Sequence, residues 1–159
     1  MVTESILGLN LDFFDNIYFI CLQEHEDKYQ FMKGFVTELD KLGLRDKSNI
    51  VLLPEQTNSQ SETVYTFLSG YDLDGYIFIK DSDGFYRTEI TEERNQVAYF
   101  DLNDMDDINA RTKSYVELAL NGTVVNIVEK KVISSTFSSG GYGFADAKKF
   151  CSTYEKLQD

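Results

Sequence analysis

A ten-residue stretch at positions 75–84, GYIFIKDSDG, constrains the fold of this chain more than any other part of the sequence. Its first half is apolar, rich in β-branched and aromatic residues, and bounded by turn residues, which predicts a strand buried on both faces. Asp81 and Asp83 follow this strand directly. Ligands of open α/β sheets bind beyond the carboxyl ends of the strands, so we expect both carboxylates at the edge of a crevice. There they would hold a hard cation that in turn holds phosphates.

Helical and strand-like patterns alternate through the first half of the chain. The patterns predict helices at residues 3–9, 24–42 and 60–68, and strands at 17–22 and 49–53. Such alternation implies right-handed crossovers and a largely parallel sheet with helices on both faces. We therefore predict an α/β fold, a three-layer sandwich with a mostly parallel mixed sheet and residues 77–79 as its central strand.

The second half of the chain is richer in strand-like segments. These segments cover residues 97–102, 114–120, 123–128 and 140–144, and a final helical pattern covers 145–157. Asn121-Gly122 between two of them is a strong signal for a β-hairpin. Since we find no internal repeat, low-complexity segment or linker, we predict that residues 1–159 form a single domain, or most of one.

Composition and charge argue against several classes of function. With 15 basic and 27 acidic residues, the chain has a net charge of −12, which argues against nucleic acid or an anionic membrane as partner. No apolar run approaches membrane-spanning length. In the absence of a signal peptide, we interpret Cys21 and Cys151 as reduced thiols and predict a cytoplasmic location.

Three motifs, taken in order, carry a resemblance to a known family. They are the acidic pair after the strand, the hairpin that leads into Glu129-Lys130, and the glycine-rich GGYGF segment that starts at Gly140. Together with SQSETV from Ser59, they resemble the sugar-phosphate nucleotidyltransferases, also called NDP-sugar pyrophosphorylases. The resemblance implies the nucleotide-diphospho-sugar transferase fold, which is Rossmann-like. It also implies a role in the synthesis of nucleotide sugars, which are needed for polysaccharide biosynthesis.

The family's reaction is attack by a sugar-1-phosphate on the α-phosphorus of a nucleoside triphosphate, with pyrophosphate leaving. Such a displacement needs a metal ion to offset phosphate charge and groups that align the two anions. The resemblance implies that Asp81 and Asp83 hold Mg²⁺, and that Lys130 steadies a phosphate as a point charge. The implied substrate-binding residues are Glu129 at the sugar hydroxyls, Gly140, Gly141 and Tyr142 as a wall beside the sugar, and Gln60 and Thr63 near the nucleobase.

Two parts of the family pattern have no counterpart here. No Gly-x-Gly-x-Arg phosphate loop occurs before Ile6, and the family's second metal aspartate follows the closing helix, which would place it beyond Asp159. We therefore expect a nucleotidyltransferase-like domain that is incomplete at both ends and weakly active or inactive as given. The sequence leaves open whether the chain forms a homo-oligomer.

Other interpretations of the same residues remain open. A metal-dependent glycosyltransferase also uses Asp-x-Asp after a strand, although we identify no acceptor-side carboxylate that would act as its base. A non-catalytic nucleotide-sugar-binding or assembly module would keep the fold without the chemistry. If these residues have no role in binding, Asp81 and Asp83 would form a solvated turn. Glu129 and Lys130 would then form an exposed charge pair that contributes little to stability. Lys113, before a strand, would point towards the crevice.

Overall fold

The computed structural model describes residues 2–106 and 109–158, and within them it shows a mixed α/β fold of five α-helices and seven strands. The helices are α1 Val2–Ile6, α2 Gln23–Tyr29, α3 Met32–Lys41, α4 Gln60–Tyr71 and α5 Ala147–Gln158. The strands are β1 Ile17–Leu22, β2 Ser48–Leu53, β3 Ile77–Lys80, β4 Gln96–Asp101, β5 Ser114–Leu118, β6 Val124–Glu129 and β7 Thr136–Phe144. None of these helices is long and apolar enough to cross a membrane.

The single helix predicted over residues 24–42 is divided into α2 and α3. Gln30 ends α2 in the left-handed conformation, with φ 48°, and its N–H donates to the Glu26 carbonyl over 2.8 Å. The Glu26 carboxylate then accepts from the Met32 N–H over 2.9 Å, which satisfies a free donor of the first turn of α3. The apolar spacing continues across this break, and periodicity alone therefore does not detect it.

Two sheets take the place of the mostly parallel sheet that the sequence predicted. β1 and β2 pair in parallel from Ile17↔Ser48 to Leu22↔Leu53. The other five strands form a second sheet in which all pairs are antiparallel. In it, β7 pairs with β3, β4 and β5, and β5 also pairs with β6. The prediction of a mostly parallel sheet was therefore wrong. Parallel strands need long crossovers, and the turns and loops of the second half permit antiparallel neighbours instead.

β3 was predicted as the central strand, buried on both faces, and this prediction is also wrong. β3 lies at an end of the five-stranded sheet, where its residues are half-buried and it pairs with β7. The central strand is β7, which pairs with β3, β4 and β5. The sequence of β7, TFSSGGYGF, lacks the apolar run that is typical of central strands because glycines and hydroxyls occupy most of it.

The largest core cluster fixes β3 against the parallel pair and two helices. Its buried members come from β2, α4 and α5: Val51, Leu53, Val64, Phe67, Leu68 and Ala147. Ile77 and Ile79 of β3 pack against this cluster. A second cluster holds Ile6, Phe19 and Leu39. This packing brings the start of α4 and the carboxyl end of β3 to the same place, because the Gln60 amide donates to the Asp81 carboxylate.

Candidate functional site

The acidic turn, residues 81–84, follows β3 and is attached to the middle of β7. The Asp81 N–H donates to the Gly140 carbonyl over 2.8 Å, and the strand register places Lys80 opposite Gly141. Gly140 has φ +84°, and a Cβ built there would overlap the Asp81 carboxylate. Glycine at this position therefore permits both the left-handed backbone and the close approach of the acidic turn.

The Lys80 side chain lies within the acidic turn. Its Nζ donates to the Asp81 carbonyl over 2.6 Å and to the Gly84 carbonyl over 2.5 Å. The same ammonium lies 4.4 Å from the centroid of the Tyr86 ring. Burial lowers the pKa of Lys80, and the nearby carboxylates of Asp81 and Asp83 act in the opposite direction.

A cavity of about 390 Å³ opens beside the acidic turn, within the size range of small-molecule sites. Four of the predicted site residues line it: Asp81, Asp83, Gly140 and Tyr142. The remaining lining consists mainly of aromatic and hydroxyl side chains: Gly84, Phe85, Tyr86, Phe100, Met105, Thr112, Lys113, Ser114, Phe137, Ser138 and Ser139. Carboxylates, an ammonium, hydroxyls and aromatic faces thus meet in one place, a combination suited to a phosphorylated sugar or a nucleotide.

Two residues in the wall of this cavity, Tyr86 and Ser139, have buried hydroxyl groups. The buried oxygens of Tyr86 and Ser139 have no hydrogen-bond partner among the described residues. Burial is the main reason that the pKa of Tyr86 lies well above its usual value, and the neighbouring Ser139 hydroxyl acts in the opposite direction. The two hydroxyls are therefore neighbours whose geometry falls short of a hydrogen bond. A buried polar group without a partner is unfavourable, so these two hydroxyls are expected to destabilise the folded protein.

Gln60 and Thr63 both lie in the first turn of α4, and only Gln60 contacts the acidic turn. Burial raises the pKa of Asp81, and its hydrogen bond from Gln60 opposes that effect. The Thr63 hydroxyl donates to the Ser59 carbonyl over 3.1 Å, and the Ser59 hydroxyl accepts from the Glu62 N–H over 3.1 Å. Ser59 thus caps the helix start, and contact of Gln60 and Thr63 with a nucleobase stays a prediction.

Glu129 and Lys130 are separated from the cavity by one strand. Glu129 lies opposite Ser114, and the Lys130 N–H donates to the Lys113 carbonyl over 2.9 Å. Their side chains are exposed and form an ion pair, with Nζ to Oε1 at 2.9 Å. The hydrogen bond to Glu129 raises the pKa of Lys130. Neither residue lines the cavity, whereas Lys113 and Ser114 do, so the roles assigned to the pair stay predictions.

The sequence analysis missed Lys80, Tyr86 and Ser139. Lys80 ends an apolar run, where alternation would place its side chain on a sheet face rather than within the following turn. Tyr86 and Ser139 belong to polar segments without periodicity, and 53 positions separate them in the chain. The attachment of the acidic turn to β7 brings Tyr86 and Ser139 together, and no local signal indicates that attachment.

Asp81 and Asp83 suit a metal ion that is shared with a substrate. Within residues 2–106 and 109–158, no group of three or more His, Cys, Asp or Glu side chains is arranged to hold a metal ion. The carbonyls of Asp81 and Gly84 already accept hydrogen bonds from Lys80. Mg²⁺ commonly uses one or two carboxylates together with waters and substrate phosphates, so the two acids fit such a shared ion.

A second cavity, of about 290 Å³, lies between α3, β1 and β2. Its lining includes Met32, Val36, Arg45 and Asn49, and contains none of the predicted site residues. Those predicted site residues that line either cavity therefore all line the one beside the acidic turn.

Comparison with known proteins places this geometry in a familiar fold. A nucleoside-diphosphate-sugar pyrophosphorylase from Vibrio cholerae RC9 superposes with a TM-score of 0.67 at 18% sequence identity, covering 98% of this chain and 62% of that one. An inositol-1-phosphate CTP transferase from T. maritima superposes with a TM-score of 0.69 at 15% identity, covering 98% of this chain and 60% of that one. The chain shares the fold of sugar-phosphate nucleotidyltransferases. The resemblance seen in the sequence is thereby confirmed for the fold.

The chain spans about three fifths of the length of both structural neighbours. No family model and no curated protein matches it in sequence. At this level of identity the superpositions establish the fold, and the function has to be argued from the site itself.

Proposed function

We propose that this chain is a nucleotidyltransferase-type domain that binds a nucleoside triphosphate with Mg²⁺, together with a sugar phosphate, in the cavity beside Asp81 and Asp83. The observation that carries the proposal is the convergence of both acids and Lys113 on one cavity of about 390 Å³. One structural neighbour is named for a nucleoside-diphosphate sugar, and the other for CTP and inositol-1-phosphate. CTP and cyclic polyol phosphates are therefore the first probes.

Under this proposal, some residues of the cavity bind the metal ion and the phosphates, and others contact the sugar. Asp81 and Asp83 would hold Mg²⁺, which offsets phosphate charge when it is bound. Lys113 lies at the cavity and would attract a phosphate of the substrate. The sugar would lie against Gly140 and Tyr142 in the wall of the cavity. The exposed Glu129 and Lys130 would approach the ligand from β6 next to Lys113.

Turnover is expected to be slow relative to binding. Phosphoryl transfer depends on several positioned cations and donors around the triphosphate. Among the described residues that line the cavity, Lys113 is the only lysine or arginine. Removal of one preorganised donor from such a site typically lowers the rate roughly a hundred- to a thousand-fold. We therefore propose that the chain binds its nucleotide in a metal-dependent way but releases pyrophosphate slowly.

Isothermal titration calorimetry tests the proposal. CTP, UTP, ATP and GTP are titrated into the protein in the presence of Mg²⁺ and, separately, of EDTA. At least one triphosphate is expected to bind only with Mg²⁺. The Asp83→Asn variant is expected to weaken that binding at least about tenfold, which corresponds to about 1.4 kcal/mol. Asp40→Asn is the matched control, since it removes the same charge from an exposed position on α3, a helix that contributes nothing to this cavity.

Other outcomes of the same titrations separate the alternatives. Binding of a nucleoside-diphosphate sugar without binding of any triphosphate would favour the metal-dependent glycosyltransferase. Binding of both without pyrophosphate release in a coupled assay would favour a non-catalytic nucleotide-sugar-binding module. Absence of Mg²⁺-dependent binding for every nucleotide and nucleotide sugar would refute the proposed site.

A further inference from the structure

The Lys80 ammonium joins the two ends of the acidic turn. It donates to the carbonyl of the first turn residue, Asp81, over 2.6 Å and to that of the last, Gly84, over 2.5 Å. A lysine ammonium has three donors, and the Tyr86 ring, 4.4 Å away, covers the ammonium at a distance typical of a cation–π contact. The charge is thus enclosed by two carbonyls and an aromatic ring that come from a single short segment.

We propose that Lys80 is a positioning residue, which holds residues 81–84 in the conformation that presents the Asp81 and Asp83 carboxylates to the cavity. The proposal extends the function proposed above, since the purpose of this conformation is to bind a cation. The clamp itself depends only on the hydrogen bonds of the turn and is measurable without any ligand.

Asp83 is the residue that depends most on this clamp. Asp81 is held independently, by its N–H bond to Gly140 and by the Gln60 amide. Asp83 is exposed, and its carboxylate has no hydrogen bond to another described side chain. Its position therefore follows the backbone of the turn, which Lys80 closes.

The chemistry of the clamp favours lysine over other side chains. A compact ammonium can donate in two directions to two carbonyls, whereas the planar guanidinium of arginine presents a rigid fork. Methionine is a flexible, uncharged side chain of similar length that donates no hydrogen bond. Lys80→Arg thus keeps the charge and alters the geometry of the hydrogen bonds, and Lys80→Met removes both the charge and the hydrogen bonds.

The sign of the effect on metal affinity separates positioning from simple electrostatics. A fixed positive charge near a cation site opposes binding of the cation. If Lys80 acted only through its charge, Lys80→Met would tighten metal binding and Lys80→Arg would leave it unchanged. If Lys80 positions the turn, both variants weaken metal binding although one of them removes a repulsive charge.

The test uses the full chain and two measurements. The ¹⁵N order parameters of Ser82 and Asp83 are expected near 0.85 in the wild type and below about 0.6 in Lys80→Met and Lys80→Arg. Mn²⁺ titration followed by electron paramagnetic resonance is expected to show at least about threefold weaker binding in both variants. Lys47→Met is the matched control, because Lys47 Nζ donates to the Leu11 carbonyl over 2.7 Å in another part of the fold.

Each outcome decides the proposal. Unchanged order parameters in both variants, or a turn that is already mobile in the wild type, would overturn the clamp. Tighter Mn²⁺ binding by Lys80→Met would show that Lys80 acts through charge and would also overturn it. If the wild type binds no Mn²⁺, the proposed metal site fails, and the order parameters alone decide the role of Lys80. If Lys80→Met does not fold, Lys80→Arg carries the test.

Discussion

The Gly140→Ala substitution tests the attachment of the acidic turn to β7, on which the candidate site depends. Gly140 has φ +84°, and a Cβ at this position would overlap the Asp81 carboxylate. A left-handed backbone is unfavourable for alanine by roughly 1–2 kcal/mol. Extra atoms in a packed environment destabilise a protein by typically about 1–3 kcal/mol. The two effects together predict a loss of roughly 2–5 kcal/mol in the free energy of unfolding.

Gly122→Ala separates these two effects. Gly122 has φ +80°, nearly the same backbone conformation, but a Cβ there meets no atom of the described residues within 4 Å. This control should lose only the backbone contribution, roughly 1–2 kcal/mol. Urea unfolding followed by circular dichroism measures both variants, and equal m-values show that the unfolded states are comparable.

A double-mutant cycle assigns the remaining difference to Asp81. In the Gly140→Ala background, Asp81→Ala removes the carboxylate that the new methyl group would overlap. A coupling energy of roughly 1–3 kcal/mol is expected between the two positions, in the range observed for residues in contact. Equal destabilisation by Gly140→Ala and Gly122→Ala, or additivity of the two substitutions in the cycle, would refute the predicted contact between the acidic turn and β7.

Two further predictions concern buried groups beside the cavity. Tyr86→Phe should raise the free energy of unfolding by up to roughly 1–3 kcal/mol, because it removes a buried hydroxyl that has no hydrogen-bond partner among the described residues. A loss of stability in urea unfolding would contradict this. Asp81→Asn should stabilise the protein at pH 7 more than at about pH 3. The folded-state pKa of Asp81 lies above the ordinary value of 3.8, so protonation of Asp81 stabilises the folded wild type below pH 3.8. The wild type loses this stabilisation as the pH rises through the folded-state pKa, whereas the asparagine variant does not titrate at this position. A stability difference that is independent of pH would show that Asp81 titrates equally in the folded and unfolded states.

Local signals predicted the individual elements well where they were strong. The hairpin at Asn121-Gly122 is confirmed: Gly122 has φ +80°, and the Ala119 N–H donates to the Thr123 carbonyl over 2.8 Å to close the turn. The parallel strands β1 and β2 are also found where the apolar runs predicted them. In both cases a property of the segment itself, a turn dipeptide or a continuous apolar run, decides its structure.

The arrangement of the elements could not be predicted in the same way. β7 became the central strand although its glycines and hydroxyls weaken its apolar pattern, and β3 became an end strand although it is strongly apolar. Strand position depends on which neighbours pair, and the register of β7 against β3 and β4 is a property of distant segments. Hydrophobicity therefore indicated that β3 is a strand but gave its position in the sheet incorrectly.

The candidate site shows the same division. Asp81 and Asp83 were predicted because they follow a strand in sequence. Gly140 and Tyr142 were predicted from the family resemblance, and all four residues line one cavity. The contribution of Lys80, Tyr86 and Ser139 depends on side-chain direction and on pairing between distant strands, which sequence patterns do not specify. Glu129 and Lys130 have one strand between them and β7, and neither lines the cavity.

The most direct measurement of the central claim is a ¹H–¹⁵N correlation titration of the 18.3 kDa protein with Mg²⁺ and CTP, repeated with the other three triphosphates. Changes in amide chemical shift are expected to concentrate in residues 81–84 and 138–141, and EDTA is expected to abolish them. Shifts that concentrate instead around Met32 and Arg45 at the second cavity, or a spectrum unchanged by every triphosphate, would contradict the claim that the cavity beside Asp81 and Asp83 binds the nucleotide.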